Sequence, residues 1–131
     1  MVDPWAEWNA VCLSDPTELD GTSRSLHALG WMRTEINNGG FDQLFFNSAG
    51  DVLPMAESAA RDNGWADLAD LLQRAMAAVG TPYPTDRADR QAVLFRLNDA
   101  EVRPLDRLDE EFFDVEAKSD LDDLMRAVLA R

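Results

Sequence analysis

The sequence of 131 residues has one cysteine and one histidine, and its apolar runs are all short. With Cys12 alone, a disulfide framework within the chain is excluded, and a reducing cytoplasm is the simplest setting. The first residues form neither a positive patch nor an apolar stretch, so we expect no signal peptide. No run approaches the roughly 18 apolar residues of a membrane span. The sequence therefore predicts a cytoplasmic protein without membrane contact.

The residues for nucleophilic catalysis are also scarce. Such catalysis needs a nucleophile beside a base, usually with a third group that orients the base. His27 lies four residues before Trp31 in a predicted helix, which favours a packed structural histidine. Cys12 falls on the apolar face of the first predicted helix, which favours a buried core thiol. Neither a Gly-x-Ser-x-Gly motif nor a glycine-rich phosphate loop occurs. We therefore expect a protein that is not an enzyme and has no catalytic residue.

Metal and cofactor sites have equally little support. One histidine and one cysteine fall short of the usual four zinc ligands. Asp67 with Asp70, and Asp106 with Asp109 and Glu110, are close enough along a helix to share an ion, but no EF-hand spacing surrounds them. Their charged neighbours indicate solvated helix faces rather than the burial that tunes catalytic carboxylates. The sequence predicts no metal ligand and no cofactor.

Basic residues are few compared with acidic ones. The sequence has 12 Lys and Arg residues and 25 Asp and Glu residues, which gives a formal net charge of −13. Such a surface repels nucleic acids and anionic membranes and attracts basic protein surfaces. The simpler alternative is that the acidity only keeps the protein soluble.

Glycine, proline and apolar spacing together predict an all-α fold. Apolar residues recur at helical spacing, and no sustained period-two alternation indicates a strand. We expect one compact domain over residues 1–131, with about six to eight helices. The predicted helices cover residues 5–13, 22–36, 51–63, 65–79, 86–97, 106–117 and 119–130, with a short segment at 41–46 and a proline loop at 81–84. Their expected boundaries include caps at Asp20 or Thr22, Asp51 and Ser119, and a helix end at Asn37-Asn38-Gly39-Gly40.

The acidic run, defined as residues 106–123, is the densest cluster of charge. Its nine carboxylates are the candidate partner-binding residues Asp106, Asp109, Glu110, Glu111, Asp114, Glu116, Asp120, Asp122 and Asp123. Only Arg107 and Lys118 oppose them, which leaves seven net negative charges. A helix of this length spans about 27 Å, over which duplex DNA carries about 16 phosphates. The run alone thus has less than half the charge density of DNA, so a DNA-like face needs carboxylates from other helices.

One stretch resembles the signature of a known family. It runs from Glu35 to Asp51 and reads EINNGGFDQLFFNSAGD. The sequence is similar to the DMP19-like family, whose motif is approximately an acid, Asn-Gly-Gly-Phe-x-Gln, an aromatic pair and Asn-Ser-x-Gly. The likeness continues more weakly through Leu105 and Phe112-Phe113 and covers about residues 22–129. Its motif residues here are Asn38, Gly39, Gly40, Phe41, Gln43, Phe46, Asn47 and Gly50.

The resemblance implies an all-α fold without known enzymatic activity. The family takes its name from a DNA mimic that occupies the DNA-binding surface of a transcription factor. Because the motif is nearly uncharged, we interpret its polar residues as helix stops and buried caps rather than as a shared binding site.

Two classes of function remain open from the sequence. The first is a non-catalytic interaction protein whose acidic face docks on a basic protein surface, with a DNA-binding protein or transcription factor as one candidate partner and no direct nucleic-acid contact. A variant of it binds through an apolar groove lined by Trp5, Trp8 or Phe45. The alternative is a small-ligand binder or enzyme with a pocket near the motif of residues 38–47.

Overall fold

The computed structural model describes residues 1–131 and consists of helices, turns and loops. Its seven α-helices are α1 (Pro4–Asn9), α2 (Gly21–Phe46), α3 (Leu53–Asp62), α4 (Ala66–Val79), α5 (Arg87–Asn98), α6 (Pro104–Lys118) and α7 (Leu121–Leu129). Two short 3-10 helices, Pro16–Glu18 and Ser48–Val52, precede α2 and α3. The all-α prediction and its helix count are confirmed. None of these helices combines the length and apolar character needed to cross a membrane.

The long helix α2 is the centre around which the others pack. It contacts α1, α3, α5, α6 and α7, while α4 packs on α3 and α6. The buried apolar side chains form one cluster of 28 residues, which includes fully buried Phe41, Phe45 and Phe112. Because α4 and α6 are neighbours, residues that are some 40 positions apart in the sequence share one side of the molecule.

Several predicted helix boundaries are confirmed by their contacts. Asp20 caps α2 by accepting a hydrogen bond from the Ser23 amide, at 2.8 Å. Pro54 lies in the first turn of α3, where its missing N–H costs nothing. Helix α4 ends at Gly80, and the proline loop follows it.

Other predicted boundaries are wrong. Asp51 does not cap α3, because its carboxylate pairs with Arg90 instead. Ser119 ends α6, and the N-cap of α7 is Asp120, which accepts from the Asp122 amide. Helix α1 stops at Asn9, so Cys12 lies in the following turn, where its thiol is only partly buried. At Asp51 an ion-pair partner, and at Ser119 a neighbouring acid, outcompetes the cap that the local pattern favours.

Helix α2 does not end at the predicted stop but bends there. Gly39 and Gly40 leave the helical conformation, with φ of +73° at Gly40, and the helix then resumes through Phe46. A side chain from α6 makes the continuation possible, because Asp109 accepts a hydrogen bond from the Phe41 amide at 2.8 Å. The glycine pair thus makes a kink, and a carboxylate from a distant part of the chain caps the helix segment that follows it.

Candidate interaction surface

The nine carboxylates of the acidic run do not all face solvent as free charges. Four of them form ion pairs with short contacts: Glu111 with Arg74, Glu116 and Asp122 with Arg33, and Asp123 with Arg126. Asp109 caps the kink of α2, and Asp120 caps α7. The remaining three are the exposed Asp106, Glu110 and Asp114.

These three carboxylates define the outer face of α6. They follow one another at intervals of four residues, so they lie along one side of the helix. Asp106 is 3.9 Å from Arg103, whereas Glu110 and Asp114 have no ion-pair partner. The outer face of α6 therefore presents charge that is available to another molecule.

Arg33 turns part of the acidic run into a structural contact. Its guanidinium, only 13% exposed, is 3.1 Å from Glu116 and 2.7 Å from Asp122, and it lies over the ring of Trp5. The hydrogen bonds from Arg33 hold the pKa of Asp122 below its usual value, with further help from the Trp5 indole N–H. The pKa of Glu111 is likewise lowered, chiefly by its hydrogen bonds to Arg74. These carboxylates tie α6 and α7 to the rest of the fold.

The pKa of Asp109 is shifted in the opposite direction from those of Glu111 and Asp122. Partial burial raises the pKa of its carboxyl, and the charges of Asp106 and Asp42 raise it further, although the Phe41 amide and Arg103 act in the opposite direction. Its contact with the kink is close: a Cβ added to Gly40 would be 2.4 Å from an Asp109 oxygen. Asp109 therefore has a structural contact on the inner side of α6.

Carboxylates from α4 extend the acidic surface. A groove of about 790 Å³, here called the α4–α6 groove, runs between the first turns of α4 and the second half of α6. Asp67 and Asp70 line it from α4, and Glu111 and Asp114 line it from α6. The sequence analysis does not place the two α4 residues among the partner-binding residues, because only the packing of α4 on α6 brings them to this surface. The only sequence feature that could have indicated their part in the acidic surface is their spacing of three residues on the polar side of α4.

The polar residues of the family motif form a side-chain network. Glu35 is 8% exposed and accepts hydrogen bonds from the side-chain amides of Gln43 and Asn47. Asn38 donates in turn to Gln43. The prediction that these amides cap backbone groups is wrong, and the importance of Glu35 as the shared acceptor was missed. A cluster of polar residues around one acid was the signal that could have identified it.

The other motif residues pack against neighbouring elements. Phe41 is fully buried, whereas Phe46 is 46% exposed. Gly50 lies so close to Arg90 that a Cβ added to the glycine would be 2.7 Å from the Arg90 Nε. The Gly50 carbonyl accepts a hydrogen bond from the Tyr83 hydroxyl. Burial raises the pKa of Tyr83.

Arg90 secures the same region from α5. It is fully buried and donates to the carbonyls of Phe45, Asn47 and Thr85 as well as to Asp51. The bonds to Phe45 and Asn47 satisfy backbone carbonyls at the end of α2. The sequence analysis does not predict this role for Arg90.

The aromatic residues proposed for an apolar docking groove have other roles. Phe45 is fully buried, and the indole N–H groups of Trp5 and Trp8 donate to Asp122 and to the His27 carbonyl. His27 is buried, and its Nδ1 is 2.9 Å from the Val11 carbonyl, in agreement with the structural interpretation. The apolar-groove variant of the interaction hypothesis is therefore wrong for Phe45. Neither the α4–α6 groove nor a smaller cavity between Gly21 and Val128 is lined by a residue of the motif.

Comparison with known proteins gives one match. A family model described as "DMP19-like protein" matches residues 17–131, which include the motif and the whole acidic run. No curated protein and no solved structure matches the chain significantly.

Proposed function

Since the chain belongs to the DMP19-like family, we propose that it is a non-catalytic interaction protein whose acidic surface docks on a basic protein surface. A DNA-binding protein is the partner class that this surface fits best, because arginine and lysine side chains that contact phosphates can equally contact carboxylates. The protein would then act as a DNA mimic. The single cysteine, which excludes an internal disulfide framework, supports a cytoplasmic setting.

The observation that carries the proposal is the convergence of carboxylates from two helices. The acidic run alone has less than half the charge density of DNA. Packing adds Asp67 and Asp70 of α4 beside Glu111 and Asp114 of α6. The outer face of α6 continues this surface with Glu110, which has no ion-pair partner.

The positions of the reactive side chains also support binding rather than catalysis. The single histidine is buried against a backbone carbonyl, and Cys12 contacts the Asn9 carbonyl in a turn. Asp109, the half-buried carboxyl whose pKa is raised, accepts a backbone hydrogen bond at the kink of α2. Each of these groups has a contact that explains its position in the fold.

The proposal is tested by capture and displacement. The tagged protein is incubated with lysate of the source organism, and bound proteins are eluted with a salt gradient and identified. A captured DNA-binding protein is then mixed with its labelled DNA, and the acidic protein is titrated in. We expect it to displace the DNA, and the E110Q/D114N variant to need a higher concentration. Capture of generally basic proteins alone, or binding that leaves DNA in place, would contradict the proposal.

A further inference from the structure

Three of the six phenylalanines are exposed, although phenylalanine is usually buried. Phe95 is 75% exposed, Phe46 46% and Phe113 44%, whereas the other three are fully buried. Apolar residues that are exposed singly are common on protein surfaces, but a contiguous group marks a binding surface. The relative positions of these three rings therefore decide whether they form such a surface.

Phe95 borders the end of α2 from α5. Gln91, four residues before Phe95, donates to the Phe46 carbonyl, and Asn98, three residues after it, donates to Asp42. Residues at these spacings lie on one side of a helix. Phe95 is therefore on the side of α5 that meets α2 between Asp42 and Phe46.

Phe113 borders α2 from α6 in the same way. Asp109, four residues before Phe113, accepts from the Phe41 amide, and Glu116, three residues after it, accepts from the Asn37 side chain. Phe113 is therefore on the side of α6 that meets α2 between residues 37 and 41.

Asp42 connects the two borders. It accepts from Asn98 of α5, and its charge acts on the carboxyl of Asp109 of α6. The three rings thus follow one another along the stretch of α2 from residue 37 to residue 46, which is about 14 Å long. We call them the aromatic face, which consists of Phe46, Phe95 and Phe113.

The charges around the aromatic face favour a basic occupant. The nearby bases are Arg103, which is 3.9 Å from Asp106, and Arg87, which donates to the Phe46 carbonyl. They are outnumbered by four carboxylates, those of Asp42, Asp106, Asp109 and Glu110. A second copy of the chain is disfavoured, because it would bring the same carboxylates and a further net charge of −13.

We propose that the aromatic face anchors a basic amphipathic helix of the partner, an inference that rests on the proposed function. Glu110 is three residues before Phe113, so the aromatic face is continuous with the outer face of α6. Apolar side chains of the partner helix pack on the three rings, and its basic side chains pair with Asp42 and Glu110. The acids attract basic proteins in general, whereas the rings select among them, because buried aromatic anchors dominate the binding energy of many interfaces.

The probe is a synthetic helical peptide of about 18 residues, with leucines every three or four positions and arginines beside them. It is titrated into the ¹⁵N-labelled full chain and followed by NMR. We expect the backbone signals of residues 41–46, 91–98 and 109–116 to move most. A peptide with alanine in place of leucine keeps the helix and the charge, and it should bind about tenfold more weakly.

Matched variants separate the aromatic face from general stickiness. F95A should weaken binding of the leucine peptide about tenfold, and the fold should be retained because Phe95 is largely exposed. The two peptides should also differ less in their affinity for F95A, since the ring and the leucines contribute to one contact. In the control L13A, Leu13 is 91% exposed in the turn after α1, and binding should equal that of the parent.

Three results would overturn the inference. The first is equal affinity of the parent and F95A for the leucine peptide, and the second is a set of largest shifts outside the three segments. The third is a dimer of the parent in sedimentation that F95A abolishes, because a second copy would then cover the aromatic face.

Failure of the aromatic face is distinguishable from failure of the proposed function. With the captured partner, F95A should weaken binding at every salt concentration and keep the salt dependence of the parent. If F95A binds like the parent while affinity falls steeply with salt, only the aromatic face is wrong. If the affinity of the parent does not respond to salt, the proposed function is wrong whatever the effect of F95A.

Discussion

At the scale of single residues, the ionic side chains divide into those that hold the fold and those that are free. Arg33 and Arg90 are the clearest of the first kind, since each is largely buried and joins several elements. Glu110 and Asp114 are of the second kind. Sequence reasoning treated all carboxylates of the acidic run alike, because the identity of an ion-pair partner depends on packing between distant helices.

Arg90 should be the basic residue on which stability depends most. R90M removes donors from the carbonyls of Phe45 and Asn47, and buried carbonyls left unpaired are costly. We expect a loss of about 3 kcal/mol in the free energy of unfolding, measured by urea denaturation. R96M on the same helix is the control: Arg96 is exposed, so its replacement should change stability by less than about 0.5 kcal/mol. Equal effects of the two substitutions would contradict this role for Arg90.

Asp109 and Asp122 should respond to pH with opposite signs. The pKa of Asp109 is raised, so its ionisation costs stability as pH rises above the unfolded value of about 3.9. The pKa of Asp122 is lowered by Arg33, so its ionised form adds stability above that value, which is lost as pH falls through the folded pKa. At pH 7 we expect D109N to be at least as stable as the parent and D122N to be less stable. For each variant, the free energy of unfolding should differ from that of the parent by less than about 1 kcal/mol, because solvent screens these groups.

Thermal unfolding from pH 7 down to pH 3 measures both differences. Each should shrink as the parent carboxyl becomes protonated. If D109N were clearly the less stable variant at pH 7, the hydrogen bond to Phe41 would outweigh the burial of the charge, and the sign assigned to Asp109 would be wrong.

At the scale of elements, the helices were predictable where the signal was local. Residues 66–79 formed the expected amphipathic helix, since its apolar stripe and terminal Gly80 lie within one segment. The kink within α2 was not predictable, because Asn38, Gly39 and Gly40 are compatible with both a helix end and a kink. Asp109, 68 residues away from Phe41, decides between the two. The cap of α7 shows the same limit on a shorter scale, since both Ser119 and Asp120 are good caps.

The kink of α2 gives a prediction with a built-in control. G40A places a side chain at a φ of +73° and pushes it against Asp109, so both backbone strain and a lost contact destabilise the fold. G64A has a similar φ of +81° but meets nothing within 4 Å. We expect G64A to cost about 1 kcal/mol and G40A to cost about 1–2 kcal/mol more, measured by urea denaturation. Equal losses would mean that neither the contact with Asp109 nor the ψ of −173° at Gly40, in a region essentially restricted to glycine, adds to the cost.

At the scale of the whole molecule, charge composition predicted an acidic surface but not its arrangement. The count of 25 acids against 12 bases was visible from the sequence, whereas the position of Asp67 and Asp114 in one groove depends on the packing of α4 on α6. The predicted set of binding residues therefore differs from the set of carboxylates that the folded surface presents without ion-pair partners. It included residues such as Glu116 that pair with Arg33, and it omitted the acids of α4.

The most direct test of the account is the salt dependence of the affinity for a captured DNA-binding partner. Its dissociation constant is measured from 50 to 300 mM salt for the parent and for the E110Q/D114N and E7Q/E18Q variants. If carboxylates replace phosphates at the partner's surface, affinity should fall steeply with salt, and E110Q/D114N should have the shallower slope. The E7Q/E18Q variant loses two negative charges at exposed positions outside α4 and α6, so it should keep the slope of the parent. An affinity that stays constant over this range would contradict an interaction through the acidic surface.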